Sequence, residues 1–280
     1  MTHFDEQETE RFAFGSNWKS FLESLDDHRI EQARQSIVES LGDVNGLRVL
    51  DLGCGSGLFS LVTHQQGARV VSIDYDHESV ACTQELKGRF AKPDSEQGWQ
   101  IDQGSALDDQ FMRSLGSFDV VYSWGVLHHT GQMWKAIDSA ANRVAPKGRL
   151  LISLYNDQGS ASRRWHRIKS TYNRLPKPLR NAWVVFIAGI YECKFALARL
   201  AKLQNPLPFA DWRAKREDRG MSVWHDWVDW VGGLPFEVAR PDDVVERLAA
   251  KNFVLDHLKT VGNGWGCNEY RFKKTNRNEA

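Results

Sequence analysis

The stretch that decides the fold is Leu47 to Ser60, LRVLDLGCGSGLFS. Leu47, Val49, Leu50 and Leu52 form a short apolar run rich in branched side chains, the pattern of a buried parallel strand. Gly53, Gly55 and Gly57 crowd the turn that follows, and Leu58, Phe59, Leu61 and Val62 resume at helical spacing. A strand that passes through a glycine turn into a helix start aims backbone N–H groups at a ligand. Glycine is needed there wherever a side chain would block the approach. The stretch reads as a cofactor cradle, with Asp51, Gly53, Cys54, Gly55 and Gly57 as its candidate contacts.

Spacing separates one cofactor from another. A dinucleotide fingerprint wants glycine at its first, third and sixth positions, which here are Gly53, Gly55 and Leu58, so the sixth fails. Downstream, the apolar run Val70-Val71-Ser72-Ile73 ends in Asp74, with Tyr75 beside it, and an acid at that place can accept hydrogen bonds from two ribose hydroxyls. Asp-x-Gly-x-Gly-x-Gly with Asp74 in register resembles the first motifs of class I S-adenosylmethionine-dependent methyltransferases. F-D-V-V-Y-S-x-x-V-L-H-H over Phe118 to His129, and P-K-G-x-L-L-I over Pro146 to Ile152, resemble the small-molecule and quinone branch of that family. The resemblance implies an α/β fold, a Rossmann-like doubly wound, mostly parallel seven-stranded sheet, with S-adenosyl-L-methionine as cofactor and no metal. In the family the position of Ser105 is commonly acidic and faces the adenine. Ser105 and Ala106 are therefore adenine-side candidates here, and Asp108 is a rival acceptor.

Composition bounds the rest. The 280 residues are 41% hydrophobic, enough for one large core with an accessory segment. Equal numbers of basic and acidic residues, 36 each, remove any global electrostatic case for nucleic acid. The polar, acidic start Met1 to Glu6 carries no signal-peptide core, so the expectation is a cytoplasmic protein. Cys54, Cys82, Cys193 and Cys267 are scattered without metal-ligand spacing and read as reduced thiols, Cys54 as a small filler of the turn.

In chain order, residues 1–45 read as an N-terminal helical segment, which the resemblance implies closes over the cofactor, the alternative being that its aromatics pack the helix onto the sheet. Phe14, Asn17 and Trp18 are its lid candidates, and an amphipathic helix follows from about Asp26 to Leu41. Residues 46–157 read as the cofactor-binding core, with strand and helix alternating. The strand Phe118 to Ser123 runs into Trp124, a candidate cofactor contact, and then His128 and His129, of which His128 is the candidate general base. A turn at Ala145 to Gly148 precedes the strand Arg149 to Leu154, which delivers Tyr155 and Asn156 as substrate-side candidates.

The alternation then breaks. Residues 158–235 read as a helical insertion after the fifth strand, with helices near Ser162 to Asn173, Leu179 to Leu203 and Val223 to Val231. Between Arg163 and Arg219 stand fourteen Lys/Arg and four acids, so overall neutrality hides a basic insert. Three readings of it stay open: a lid over the substrate, peripheral contact with a membrane through its apolar run and basic flanks, and a homodimer interface. Trp224, His225 and Asp226 within it are further candidates, His225 as a second base and the other two as substrate contacts. Residues 236–280 supply a helix and the closing strands. The function this supports is methyl transfer to a small molecule or a lipid- or glycan-type precursor, with oxygen favoured as acceptor atom. The alternatives are a cofactor-binding non-enzyme or membrane-associated scaffold, and transfer to carbon or nitrogen, nucleic acid included.

Overall fold

The computed structural model describes Trp18, Leu22, residues 25–91 and 98–208, Trp212, residues 223–262, Gly264 and residues 266–275, with His225 and Asp226 described by backbone alone. They form two compact units. One comprises the described residues of 13–158 and 236–280, and the other is Gly159–Pro235.

The first unit is a seven-stranded sheet with helices on both faces. Its order along the chain is α1 (Asp27–Leu41), β1 (Arg48–Leu52), α2 (Leu58–Gln65), β2 (Arg69–Asp74), α3 (His77–Phe90), β3 (Trp99–Gln103), α4 (Asp109–Ser114), β4 (Phe118–Trp124), a single 3₁₀ turn at Leu127–His129, α5 (Met133–Asn142) and β5 (Val144–Tyr155). The second unit holds α6 (Ser160–Arg174), α7 (Lys177–Ala201) and α8 (Val223–Gly232), after which α9 (Pro241–Ala249), β6 (Phe253–Lys259) and β7 (Cys267–Lys274) complete the sheet. The strand order is β3-β2-β1-β4-β5-β7-β6. All pairs are parallel except those made by β7, which runs antiparallel to both β5 and β6.

Each face of the sheet has its own core. Leu50, Leu52, Ile73 and Val121 pack with α5 and α9, whereas Val49, Val70 and Val120 pack with α1, α2 and α3. Alternate residues of one strand serve opposite faces, which is why β1 reads as apolar throughout. Helix starts are fixed by short acids: Asp26 accepts from the Arg29 N–H at 2.9 Å, and Asp76 from that of Glu78 at 2.9 Å.

Three details differ from the sequence reading. The Ala145 to Gly148 segment is not a separate turn: β5 already begins at Val144, and the irregularity is taken up as a register shift against β4, with Lys147 at φ 64°. The last closing strand, β7, is not at the sheet edge but lies between β5 and β6, and its Asn268 is fully buried. The six-residue α4, capped by the Asp108 carboxylate, is too short to show a helical period.

In the helical unit, Val184, Ile187 and Tyr191 form the buried ridge of α7, and the Tyr191 ring stacks on Trp165 at 5.0 Å between centroids. Lys169 on α6 is fully buried, its ammonium donating to the Trp230 carbonyl at 2.6 Å. No described helix is long and apolar enough to cross a membrane.

Candidate functional site

The glycine turn folds back onto the end of β2. The N–H groups of Gly53 and Cys54 both donate to the Ile73 carbonyl, at 2.8 and 3.1 Å. Gly53 has φ 86°, and a Cβ there would run into the Val126 side chain, so position and conformation both demand glycine. Gly55 donates to Asp74 Oδ2 at 3.0 Å, and the Asp76 N–H donates to Asp74 Oδ1 at 2.9 Å. The carboxylate is thus held in one orientation, with the Tyr75 N–H as a third backbone donor, and of its about four acceptor sites it keeps room for a further donor. Burial raises the Asp74 pKa against the pull of those N–H groups. The Trp18 indole lies over Gly55, 3.0 Å from where a Cβ would stand, so this ring covers the turn on that side. Phe14 and Asn17 lie outside the described residues.

Asp51 stands beneath the turn rather than in it. It is buried, and Ser60 Oγ donates to its Oδ2 at 2.5 Å. Ser60 Oγ is 2.6 Å from Ser72 Oγ, which accepts from the Trp99 indole N–H at 2.7 Å. Each hydroxyl has one proton, so Trp99, Ser72 and Ser60 form a directed relay that ends on the Asp51 carboxylate. Burial still pushes Asp51 up to about 7, against the Ser60 hydrogen bond, with the Asp74 charge adding to the rise. Sequence reasoning missed Ser60, Ser72 and Trp99; the available signal was two small polar residues inside otherwise apolar elements. Cys54 is also buried, its thiol raised well above the ordinary range by burial and by the charges of Asp51 and Asp74, as suits a filler and not a nucleophile. Thr83 Oγ1, within 3.2 Å of the Gly55 carbonyl, props the turn from α3.

At the end of β3, the Gly104 N–H donates to the Asp74 carbonyl at 2.9 Å, which brings Ser105 and Ala106 beside the β2 end. Ser105 Oγ accepts from the Leu107 N–H at 3.1 Å, Ala106 is buried, and the Asp108 carboxylate is occupied by the Gln110 and Phe111 N–H groups at 3.0 Å each. The rival acceptor Asp108 is thus also a helix cap, both bonds falling on its Oδ1. Tyr75 and Trp124 are exposed, and Trp124 ends a stack that runs through Tyr122, 5.9 Å away, to Phe59, 3.4 Å further.

A second cluster forms at the ends of β4 and β5. The His128 ring is completely buried, 3.9 Å from the Tyr155 ring and 4.5 Å from that of His129. His129 and Tyr155 are half-buried, and Phe236 packs on Tyr155 at 5.3 Å. Phe236 arrives because the Glu237 N–H donates to the His128 carbonyl at 3.0 Å, while the Glu237 carboxylate accepts from the Met133 N–H at the start of α5, at 3.0 Å. The sequence reading put the proton acceptor at His128. Its ring has no exposed surface, so the member of the pair that faces outward is His129. Asn156, read as a substrate contact, has both ends engaged: its Nδ2 donates to the Gly262 carbonyl at 3.0 Å and its Oδ1 accepts from Asn268 at 3.0 Å. Trp224, His225 and Asp226 belong to α8 of the helical unit; Trp224 is exposed, and the side chains of the other two lie outside the described residues.

A family model described as a methyltransferase domain matches residues 25–225. The chain is 28% identical over 170 residues to a ubiquinone biosynthesis O-methyltransferase of Agrobacterium fabrum, an alignment covering 56% of this chain and 65% of that one. It is 30% identical over 159 residues to the protein so named in Xanthomonas euvesicatoria, covering 55% and 63%. The chain thus spans less than two thirds of the length of these curated relatives. Among solved structures, a magnesium protoporphyrin IX methyltransferase from Synechocystis with bound SAH superposes with a TM-score of 0.51 at 16% identity, covering 89% of this chain and 83% of that one.

Proposed function

The chain belongs to the methyltransferase-domain family, and on that premise we propose that it transfers a methyl group from S-adenosyl-L-methionine to an oxygen of a small, ring-bearing or lipid-precursor molecule. The observation that carries this reading is the clamp between the β1 turn and the β2 end. There Asp74 is oriented by Gly55 and Asp76 with acceptor capacity to spare, under the Trp18 indole. Such a site fits a ribose diol at Asp74 and a cationic amino-acid end at the turn. Asp51, raised chiefly by burial, lies near enough to Asp74 for that charge to add to the rise, and a cation between the two would relieve this added repulsion. When bound, that cofactor supplies a sulfonium methyl already activated for displacement.

The residues of this chain then have three tasks. Gly53 and Gly55 let the backbone approach the cofactor, Asp74 fixes its ribose, and Trp18 excludes water from the turn. Tyr155, Phe236 and His129 offer an aromatic wall with an imidazole at its edge, suited to a phenolic or enolic ring, and His129 takes the hydroxyl proton while His128 backs it. Two relatives named as ubiquinone O-methyltransferases support oxygen as the acceptor atom.

Calorimetric titration with S-adenosylmethionine tests the clamp. Asp74→Ala should weaken binding tenfold or more, as expected for losing charge-assisted hydrogen bonds of about 1.5–3 kcal/mol. Unchanged affinity would overturn the ribose assignment. Single-turnover transfer of labelled methyl to a catechol tests the acceptor side, where His129→Ala should slow transfer without changing cofactor affinity.

A further inference from the structure

Of the thirteen large apolar side chains that are exposed among the described residues, eight lie between Leu179 and Leu207. They are not scattered. At about 100° per residue, Leu179, Phe186, Ile190 and Leu197 fall within about 40° of one another around α7. Phe186 is 58% exposed, Ile190 50% and Leu197 66%. Val185 and Leu200 widen this arc to about 140°. No charged residue of 179–200 stands on it, and it runs for about 32 Å along the helix. The buried ridge of Val184, Ile187 and Tyr191 lies about 110° away, so α7 has one apolar face packed into its own unit and a second one open. A monomer has no structural use for the second face.

The charges around the arc say what covers it. Lys194 stands beside it, Arg174, Lys177 and Lys202 stand exposed at the two ends of α7, and the Glu192 carboxylate accepts from the Trp212 indole at 3.0 Å. The segment from Arg163 to Arg219 carries fourteen cations and four acids. A second copy docked on the same face would bring two strongly basic surfaces together, because a two-fold interface apposes each patch to itself. An anionic lipid surface meets both features at once: apolar side chains enter the acyl boundary, and lysines on flexible stems reach phosphate groups beside it.

We propose that α7 is an interfacial helix, and that its Leu179–Leu200 arc docks the protein, lying flat, on a bilayer of anionic phospholipid. This reading does not depend on which acceptor is methylated. It concerns the helical unit alone.

Co-flotation of the full chain with phosphatidylcholine vesicles, with and without about one third phosphatidylglycerol, tests it. Binding to the anionic vesicles should be at least about tenfold stronger and should fall with added salt. The double variant Phe186→Ser/Ile190→Ser should lower partitioning about tenfold with an unchanged far-ultraviolet circular dichroism spectrum. A readout without any change to the arc comes from Cys193, which is exposed on it: anionic vesicles should slow its reaction with a maleimide several-fold, with Cys193→Ser giving the background. Absence of binding to anionic vesicles, binding that the double variant leaves intact, or an unprotected Cys193 would each overturn the proposal. So would a concentration-dependent dimer that the double variant dissociates, with no vesicle binding by either form.

Discussion

The sheet unit buries an acid, Asp51, and the helical unit buries a base, Lys169, with opposite consequences. In the sheet, Asp51 receives the Ser60 hydroxyl at the end of a relay and is pushed up to about 7 by burial. In the helical unit, Lys169 gives a hydrogen bond to the Trp230 carbonyl and is pushed down to about 7 by burial, with Asp229 opposing. An acid raised and a base lowered both lean toward neutrality, yet pH acts on them in reverse. Native Asp51 keeps a proton that the unfolded chain releases from about pH 4, so its contribution is present at low pH and is lost as pH rises through about 7. Native Lys169 lacks a proton that the unfolded chain keeps to about pH 10.5, so its contribution is present at high pH and is lost as pH falls through about 7. Near neutrality both groups sit at the unfavourable end of their range. The difference teaches that a buried acid is met here by a hydroxyl relay running from β3 through β2 to α2, whereas the buried Lys169 is met by a backbone carbonyl of α8.

The largest expected effect breaks the helical half of this contrast. Lys169→Met replaces the ammonium with an apolar chain of similar length. Stability by denaturant titration should then lose its rise between about pH 7 and 10, a span worth on the order of 5 kcal/mol at most from a shift of this size. A variant curve parallel to that of the natural chain would mean that Lys169 stays charged in the fold. The second test breaks the sheet half: Asp51→Asn should remove a decline between about pH 4 and 7, of order 4 kcal/mol at most. It should also weaken cofactor binding if a cation rests near that carboxyl. The smallest effect sharpens the comparison. Ser60→Ala takes away the donor that opposes desolvation, so Asp51 should titrate still higher, and the fold should lose about 1–3 kcal/mol. An unchanged Asp51 titration by carbon-13 NMR would show that the relay does not act on it.

The same two units differ in how much could be read from their residues. Strand β1, its glycine turn and Asp74 at the end of β2 were legible because their logic is local: a run of branched apolar residues, a turn that needs positive φ, and an acid one strand later. The helices of the insertion were legible too, from proline punctuation and apolar runs, each within about two residues at its ends. Asp51 was legible as an acid of the motif but not as a buried one, since the group that meets it, Ser60, lies on the next helix and Ser72 on the next strand. Which of His128 and His129 is fully buried was not legible at all. It depends on Tyr155 and on Phe236, drawn in by Glu237 from more than a hundred positions downstream.

The order of strands and helices, the cofactor turn and the basic character of the insertion were determined by the sequence alone, because period, glycine placement and charge are properties of neighbouring residues. Which histidine faces outward, which acid lies under the turn, and which face of α7 remains uncovered were decided only by the tertiary structure. Exposure is set by what packs on a side chain from elsewhere in the chain, and no window of sequence contains that neighbour.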